Sequence, residues 1–234
     1  GAKVYKFVFG SKLMQTFIIS LGGSLIVPEE IDSGFLKDFL AIILKRKEKF
    51  ILMVGGGKTA RKYQKVAADF GSSNYDSDMV GIIATRLNAE LVRAALGKLA
   101  HKKVIYNPTE KIKFSEKILV AAGWEPGCST DYDAVLIAKN FKAKNVINLS
   151  NIDYVYNKNP KEFPDAKPIE KISWKEYRKM FGGPWTPGFN SPFDPVAAKA
   201  AEKLKMRVII ANGKNLENLE RILKGEKFVG TEIS

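Results

Sequence analysis

The sequence predicts an α/β fold on a mainly parallel sheet, on three observations. Short continuous apolar runs, ILMV (51–54), ILVAA (118–122), VINL (146–149) and VIIA (208–211), have the pattern of strands buried on both faces. Segments of helical period alternate with them. Glycines follow the first two strands, where the chain must turn tightly into a helix.

Taken in order, a strand over 17–21 ends in glycines and precedes a helix over 34–47. A strand over 50–54 then leads through Gly55, Gly56 and Gly57 into a helix over 59–70. There Ala60, Tyr63, Val66, Ala67 and Phe70 fall on one helical face. A long helix covers 79–96, followed by strands at 103–106 and 117–123 and a helix over 130–141, with Thr130 and Asp133 spaced as a capping box. The remainder reads as a strand over 145–150, helices over 173–181 and 194–204, a strand over 207–212 and a helix over 218–223. Asp194 before Pro195 is an N-cap followed by proline at the first helical position. Residues 1–13 precede Met14 and read as an extension outside the fold, and 182–192 reads as a proline-stiffened lid, interface or solvent loop.

The 234 residues, 45% hydrophobic and 27% charged, suit a single domain with a real core. No apolar run reaches the 18 residues of a membrane span, and one cysteine, Cys128, forms no internal disulfide, so a cytoplasmic protein without a membrane partner is expected. Lys+Arg of 38 against Asp+Glu of 25 gives a net charge of +13 and points to anionic partners. The basic residues are spread among acidic ones on helix faces, which describes a solvated surface, and a nucleic-acid partner is not expected.

Gly55, Gly56 and Gly57 sit where the first helical amides are unpaired and the dipole is positive, a place that stabilises an anion. Lys58 and Arg61 in that first turn oppose the dipole, as expected if an anion binds between them. The P-loop pattern fails at Leu52, and the dinucleotide fingerprint, although Gly55, Gly57 and Ala60 satisfy it, lacks a second strand ending in Asp78. Gly22, Gly23 and Ser24 form a second glycine turn after the first strand, so two phosphorylated ligands fit the pattern.

The blocks IISLGGSLIVPE, MVGGGKTARKY, DMVGIIATRLNA, GWEPGCSTD, LSNIDYVYNKNP and DPVAAKAAEKLKMRVIIANG resemble, in this order, the amino-acid-kinase fold and within it the archaeal-type UMP kinases. The resemblance implies a three-layer αβα sandwich over 14–234, with an acceptor-binding half at 14–140 and an ATP-binding half at 141–234. It implies phosphoryl transfer from ATP with Mg²⁺ to UMP, no protein-held metal, and assembly as a hexamer through the long helices. On the ATP side it implies Gly22, Gly23, Ser24, Gly57, Arg61, Ser150, Tyr156 and Asn159. On the UMP side it implies Gly55 and Gly56 at the phosphate, Asp78 at the ribose hydroxyls, and a wrapping loop of Trp124, Glu125, Pro126, Gly127, Cys128, Ser129 and Thr130. Asp131, Asp194, Arg61 and Lys58 would serve the transferring phosphoryl.

The chain departs from that pattern in places. Ser20 stands near the end of the first strand, where many relatives have lysine, leaving Lys58 as the candidate cation. Tyr154 replaces a glycine in an NVDGVY-like loop, and Asn159 replaces the commoner aspartate before proline. His101 lies far from the glycine turns and reads as a surface residue. Another small-molecule kinase of the same fold, a non-catalytic nucleotide or oxyanion binder, and a nucleic-acid binder suggested by charge alone remain alternatives.

Overall fold

In a computed structural model, residues 16–182 and 191–234 are described. The extension at 1–13 and most of the expected lid at 182–192 lie outside them. Along the chain come β1 (Thr16–Leu21), α1 (Gly23–Ile26), α2 (Ser33–Lys45), β2 (Lys49–Val54), α3 (Gly57–Asp69), α4 (Asn74–Leu96), β3 (Ile118–Ala121), α5 (Thr130–Asn140) and β4 (Asn145–Ser150). Then follow β5 (Val155–Tyr156), β6 (Pro168–Ile169), β7 (Lys171–Ile172), α6 (Trp174–Phe181), α7 (Pro195–Lys203), β8 (Arg207–Asn212), α8 (Leu216–Lys224) and β9 (Thr231–Ile233).

Seven of the described strands make one sheet in the order β3-β2-β1-β4-β8-β9-β7, and β5 and β6 form a separate hairpin. Strands β3, β2, β1, β4 and β8 run parallel, and β9 is antiparallel to β8. Because side chains alternate across a strand, Phe17, Ile19 and Leu21 of β1 enter one core with α2, α4 and α8, while Ile18 enters the other with α5, α6 and α7. Helices on both faces of the sheet make the three-layer sandwich. Fully buried Phe39 on α2, Phe50 on β2 and Tyr177 on α6 are among its largest anchors, each burial contributing about 1.5–3 kcal/mol.

Several expectations need correction. The segment 103–106 forms no strand; Ile105 makes an isolated bridge to Ala121, and Ala100 another to Ile118, so the chain only brushes the sheet edge. The shared apolar face of 59–70 is split in α3: Ala60, at its start, is buried beside Gly57, while Tyr63 65%, Val66 53% and Phe70 87% are exposed. The cause is that α3 packs on α4, where Gly81 leaves room for Gln64, and not on the sheet. The cap of α5 is Ser129, whose hydroxyl accepts from the Tyr132 N–H, one residue earlier than the predicted Thr130. Asp194 does cap α7, accepting from the Ala197 N–H at 2.7 Å with Pro195 behind it.

Candidate functional site

The C-terminal ends of the parallel strands open on one edge, and the order reverses between β1 and β4, the place where α/β sheets leave a crevice. The two glycine turns meet there. The Gly55 N–H donates to the Leu21 carbonyl at 3.0 Å and the Lys58 N–H to the Val27 carbonyl at 2.9 Å. A Cβ on Gly23 would stand 2.0 Å from the Gly57 nitrogen, and one on Gly57, whose φ is +63°, would stand 2.3 Å from the Gly23 carbonyl oxygen. Backbone against backbone is therefore a first reason for glycine at both positions, beside any approach to phosphate.

Gly22, also in the turn, donates its N–H to the Leu149 carbonyl at 2.9 Å, tying β1 to the end of β4. Gly56 precedes α3, and Ser24 lies in the short α1, partly exposed. Asn88 of α4, not among the site residues expected from sequence, is buried and donates to the Gly55 and Gly56 carbonyls at 2.9 and 3.1 Å. Its signal was one amide inside the apolar stretch IIATRLNA. Lys58, the candidate cation, has its ammonium 2.9 Å from exposed Glu29, and that hydrogen bond, with the charges of Lys62 and Arg61 adding, holds the Glu29 carboxyl below its usual range.

Four residues far apart in sequence converge at the β1/β4 junction. Ser20 and Asn148 are register partners and donate to the same Asp131 oxygen, Oδ1, at 3.2 and 2.8 Å. The other oxygen accepts from the Asp194 N–H at 3.2 Å. Burial, with the charge of Asp194 adding, pushes the Asp131 carboxyl up to about 6, while the three donors hold it down. Burial also raises Asp194, against the Ala197 N–H and the Ser129 hydroxyl. Among the described residues no ion pair reaches either aspartate, and the bonds to their carboxyls come from hydroxyl, amide and backbone donors. Ser20 thus occupies the expected lysine position as a hydrogen-bond donor to Asp131.

The predicted acceptor loop lies beside this cluster. Asp78 near the start of α4 accepts from the Gly127 N–H at 2.9 Å, joining α4 to the loop, and Gly127 has φ +83°. Trp124 is held by its backbone N–H on Asp133, while Glu125 and Gly127 face solvent and Pro126, Cys128, Ser129 and Thr130 are half-buried. Burial pushes the Cys128 thiol up to about 12, with Asp133 the largest charge acting on it, so the thiol stays protonated.

The remaining ATP-side residues are less gathered. Ser150 ends β4 with its hydroxyl oxygen buried and unpartnered, an acceptor and donor left over at the sheet edge. Tyr156 lies in the β5/β6 hairpin, edge-on to Tyr154 at 6.4 Å. Tyr154 does not adopt a positive φ, so the loop needs no glycine there in this chain. Asn159 shapes its own turn, accepting from the Lys161 N–H at 3.1 Å and donating to Glu162 at 2.6 Å. His101 sits 3.4 Å from Glu116, away from the cluster's partners.

Residues 15–212 match the family model described as the amino acid kinase family. A uridylate kinase of Methanobrevibacter smithii is 34% identical over 221 residues, covering 92% of this chain and 97% of the relative. One of Thermoplasma volcanium is 34% identical over 94% of this chain and 97% of the relative. The crystal structure of uridylate kinase from Archaeoglobus fulgidus superposes with a TM-score of 0.76 at 34% identity, over 94% of this chain and 100% of that one. The UMP kinase of Ureaplasma parvum, at 19% identity and a TM-score of 0.79 over 95% and 100%, shares the fold.

Proposed function

The chain belongs to the amino acid kinase family, and from that premise we propose that it transfers the γ-phosphoryl group of ATP to UMP, giving UDP and ADP. A phosphate oxygen of UMP forms the new bond to the γ-phosphorus while the bond to the β–γ bridging oxygen breaks. The observation that carries this reading is the Asp131 cluster between the glycine turns and the Asp78-pinned loop, in a chain aligned almost end to end with proteins named uridylate kinase. Backbone amides of the Gly55–Gly57 turn, at the start of a 13-residue helix, suit an incoming phosphate. Asp78 and residues 124–130 are assigned to UMP; Gly22 to Ser24, Gly57, Arg61, Ser150, Tyr156 and Asn159 to ATP.

Asp131 and Asp194 fit a divalent cation that arrives with ATP, since burial disfavours the ionised form of both carboxyls and a cation beside them offsets that cost. We assign this cation to the incoming nucleotide as its Mg²⁺; among the described residues no group of three or more His, Cys, Asp or Glu is gathered that could hold a metal. When bound, it neutralises phosphate charge. The chain's own part is to orient the phosphates through amides and to fix Asp131 through Ser20 and Asn148.

We read 14–234 as a single domain with an acceptor half at 14–140 and an ATP half at 141–234, acting in the cytoplasm where its substrates are. No described helix is long and apolar enough to cross a membrane. The exposed apolar face of α3 and α4, with Tyr63, Val66, Phe70, Ile83 and Leu87 each more than half exposed, supports assembly toward the hexamer expected by resemblance.

The test is ADP release with ATP, Mg²⁺ and a panel of UMP, CMP, dUMP, isopentenyl phosphate and carbamate. UMP-selective turnover supports the proposal. Turnover with another acceptor, or UMP binding without turnover, replaces it with a related kinase or a binder.

A further inference from the structure

At the exit of β3 the chain passes through Gly123 and Trp124 before the acceptor loop, and every backbone polar atom of that dipeptide is bonded by a side chain. The Gly123 N–H donates to the Thr85 hydroxyl at 2.8 Å, and the Gly123 carbonyl accepts from Arg86 Nε at 3.3 Å. The Trp124 carbonyl accepts from the Arg86 guanidinium at 2.9 Å, and the Trp124 N–H donates to Asp133 Oδ2 at 3.1 Å. Backbone groups at a strand exit ordinarily end on neighbouring backbone or water, so four side-chain bonds on two residues mark an imposed conformation.

The clamp is itself held. Arg86 lies over the Tyr106 ring, its guanidinium carbon 4.3 Å from the centroid, and Thr85 bonds back to the Ile82 carbonyl at 2.6 Å. Gly123 has no room for a Cβ, which would stand 2.8 Å from the Thr85 hydroxyl. Asp133 is fully buried, with its second oxygen unpartnered, an arrangement that costs stability and gains only the Trp124 bond.

We propose that Arg86 and Asp133 are positioning residues that grip the Gly123–Trp124 dipeptide from two sides and so set the acceptor loop for UMP. The inference rests on the acceptor-side reading of residues 124–130. It assigns to α4 a second task beyond Asp78: one helix fixes both the start of the loop, through Thr85 and Arg86, and its tip, through Gly127.

Arg86→Met removes both donations while keeping an apolar stem over Tyr106; Asp133→Leu removes the acceptor; Asp133→Asn keeps it. We expect the first two to raise the UMP KM about tenfold, the scale of a lost hydrogen bond, with ATP KM and kcat at saturating UMP within about twofold. Hydrogen exchange of the nucleotide-free protein should be faster at Gly123, Trp124 and residues 125–128 in both, and Asp133→Asn should restore KM and protection. A purely structural role would lower the melting temperature without moving KM. Should Asp133→Leu fail to fold, Arg86→Met decides. UMP protection of the wild-type loop with KM unmoved in the folded variants overturns the inference alone; a wild-type loop that UMP leaves unprotected overturns the acceptor reading and the inference with it.

Discussion

Ser20 and Asn148 lie side by side on adjacent parallel strands, and both donate to the same oxygen of Asp131. Hydrogen bonds to a carboxylate favour its ionised form, so they oppose the burial that lifts Asp131 to about 6. Ser20→Ala removes one and should raise that pKa further. If ionised Asp131 is the working form, the acid limb of kcat/KM moves to higher pH by about 0.5–1 unit, read from a pH–rate profile.

The glycine turns predict a contrast. Gly23→Ala forces a Cβ to 2.0 Å from the Gly57 nitrogen and should destabilise by about 3 kcal/mol or more, because both neighbours are backbone. Gly71→Ala, at φ +75° with nothing within 4 Å, should cost only about 1–2 kcal/mol. Urea unfolding of the two variants measures the difference.

Asn88→Leu leaves the Gly55 carbonyl without its side-chain donor inside the protein. Loss of about 1–3 kcal/mol is expected, with UMP affinity falling as the turn loosens, checked by denaturation and calorimetry.

Asp133 makes stability depend on pH. Its folded pKa is raised from 3.8 to about 7, burial being the main cause, so the native state holds the proton more tightly than the unfolded chain. That contribution is fully present below the ordinary carboxylate range and is lost as pH rises through about 7. Asp133→Asn cannot ionise. Relative to the variant, the wild type should therefore weaken from acid toward mildly alkaline pH, measured by unfolding across that range.

The outward face of α3 and α4 should govern assembly. Phe70→Asp with Leu87→Glu places charge on two of its most exposed apolar residues and should yield a smaller species by light scattering, with the fold intact by circular dichroism.

The parallel sheet was legible because buried strands are continuous apolar runs, and Gly55–Gly57 were legible because strand, glycines and helix follow one another locally. Periodicity located α3 but not its orientation: Tyr63 and Phe70 share a face whether that face meets the sheet or solvent. The Ser20, Asn148 and Asp131 meeting depends on strand register between segments 128 residues apart, and the Arg86 clamp on side chains reaching backbone atoms, neither of which leaves a local pattern. Short β5, β6, β7 and β9 fall below the length at which alternation is readable.

The most direct test is coupled ADP release with UMP, ATP and Mg²⁺, comparing the wild type with Asp131→Asn. UMP-dependent turnover should fall about 10²–10³-fold in the variant while UMP and ATP still bind. Equal turnover in both proteins would remove Asp131 from the reaction, and none in the wild type would remove UMP as the acceptor.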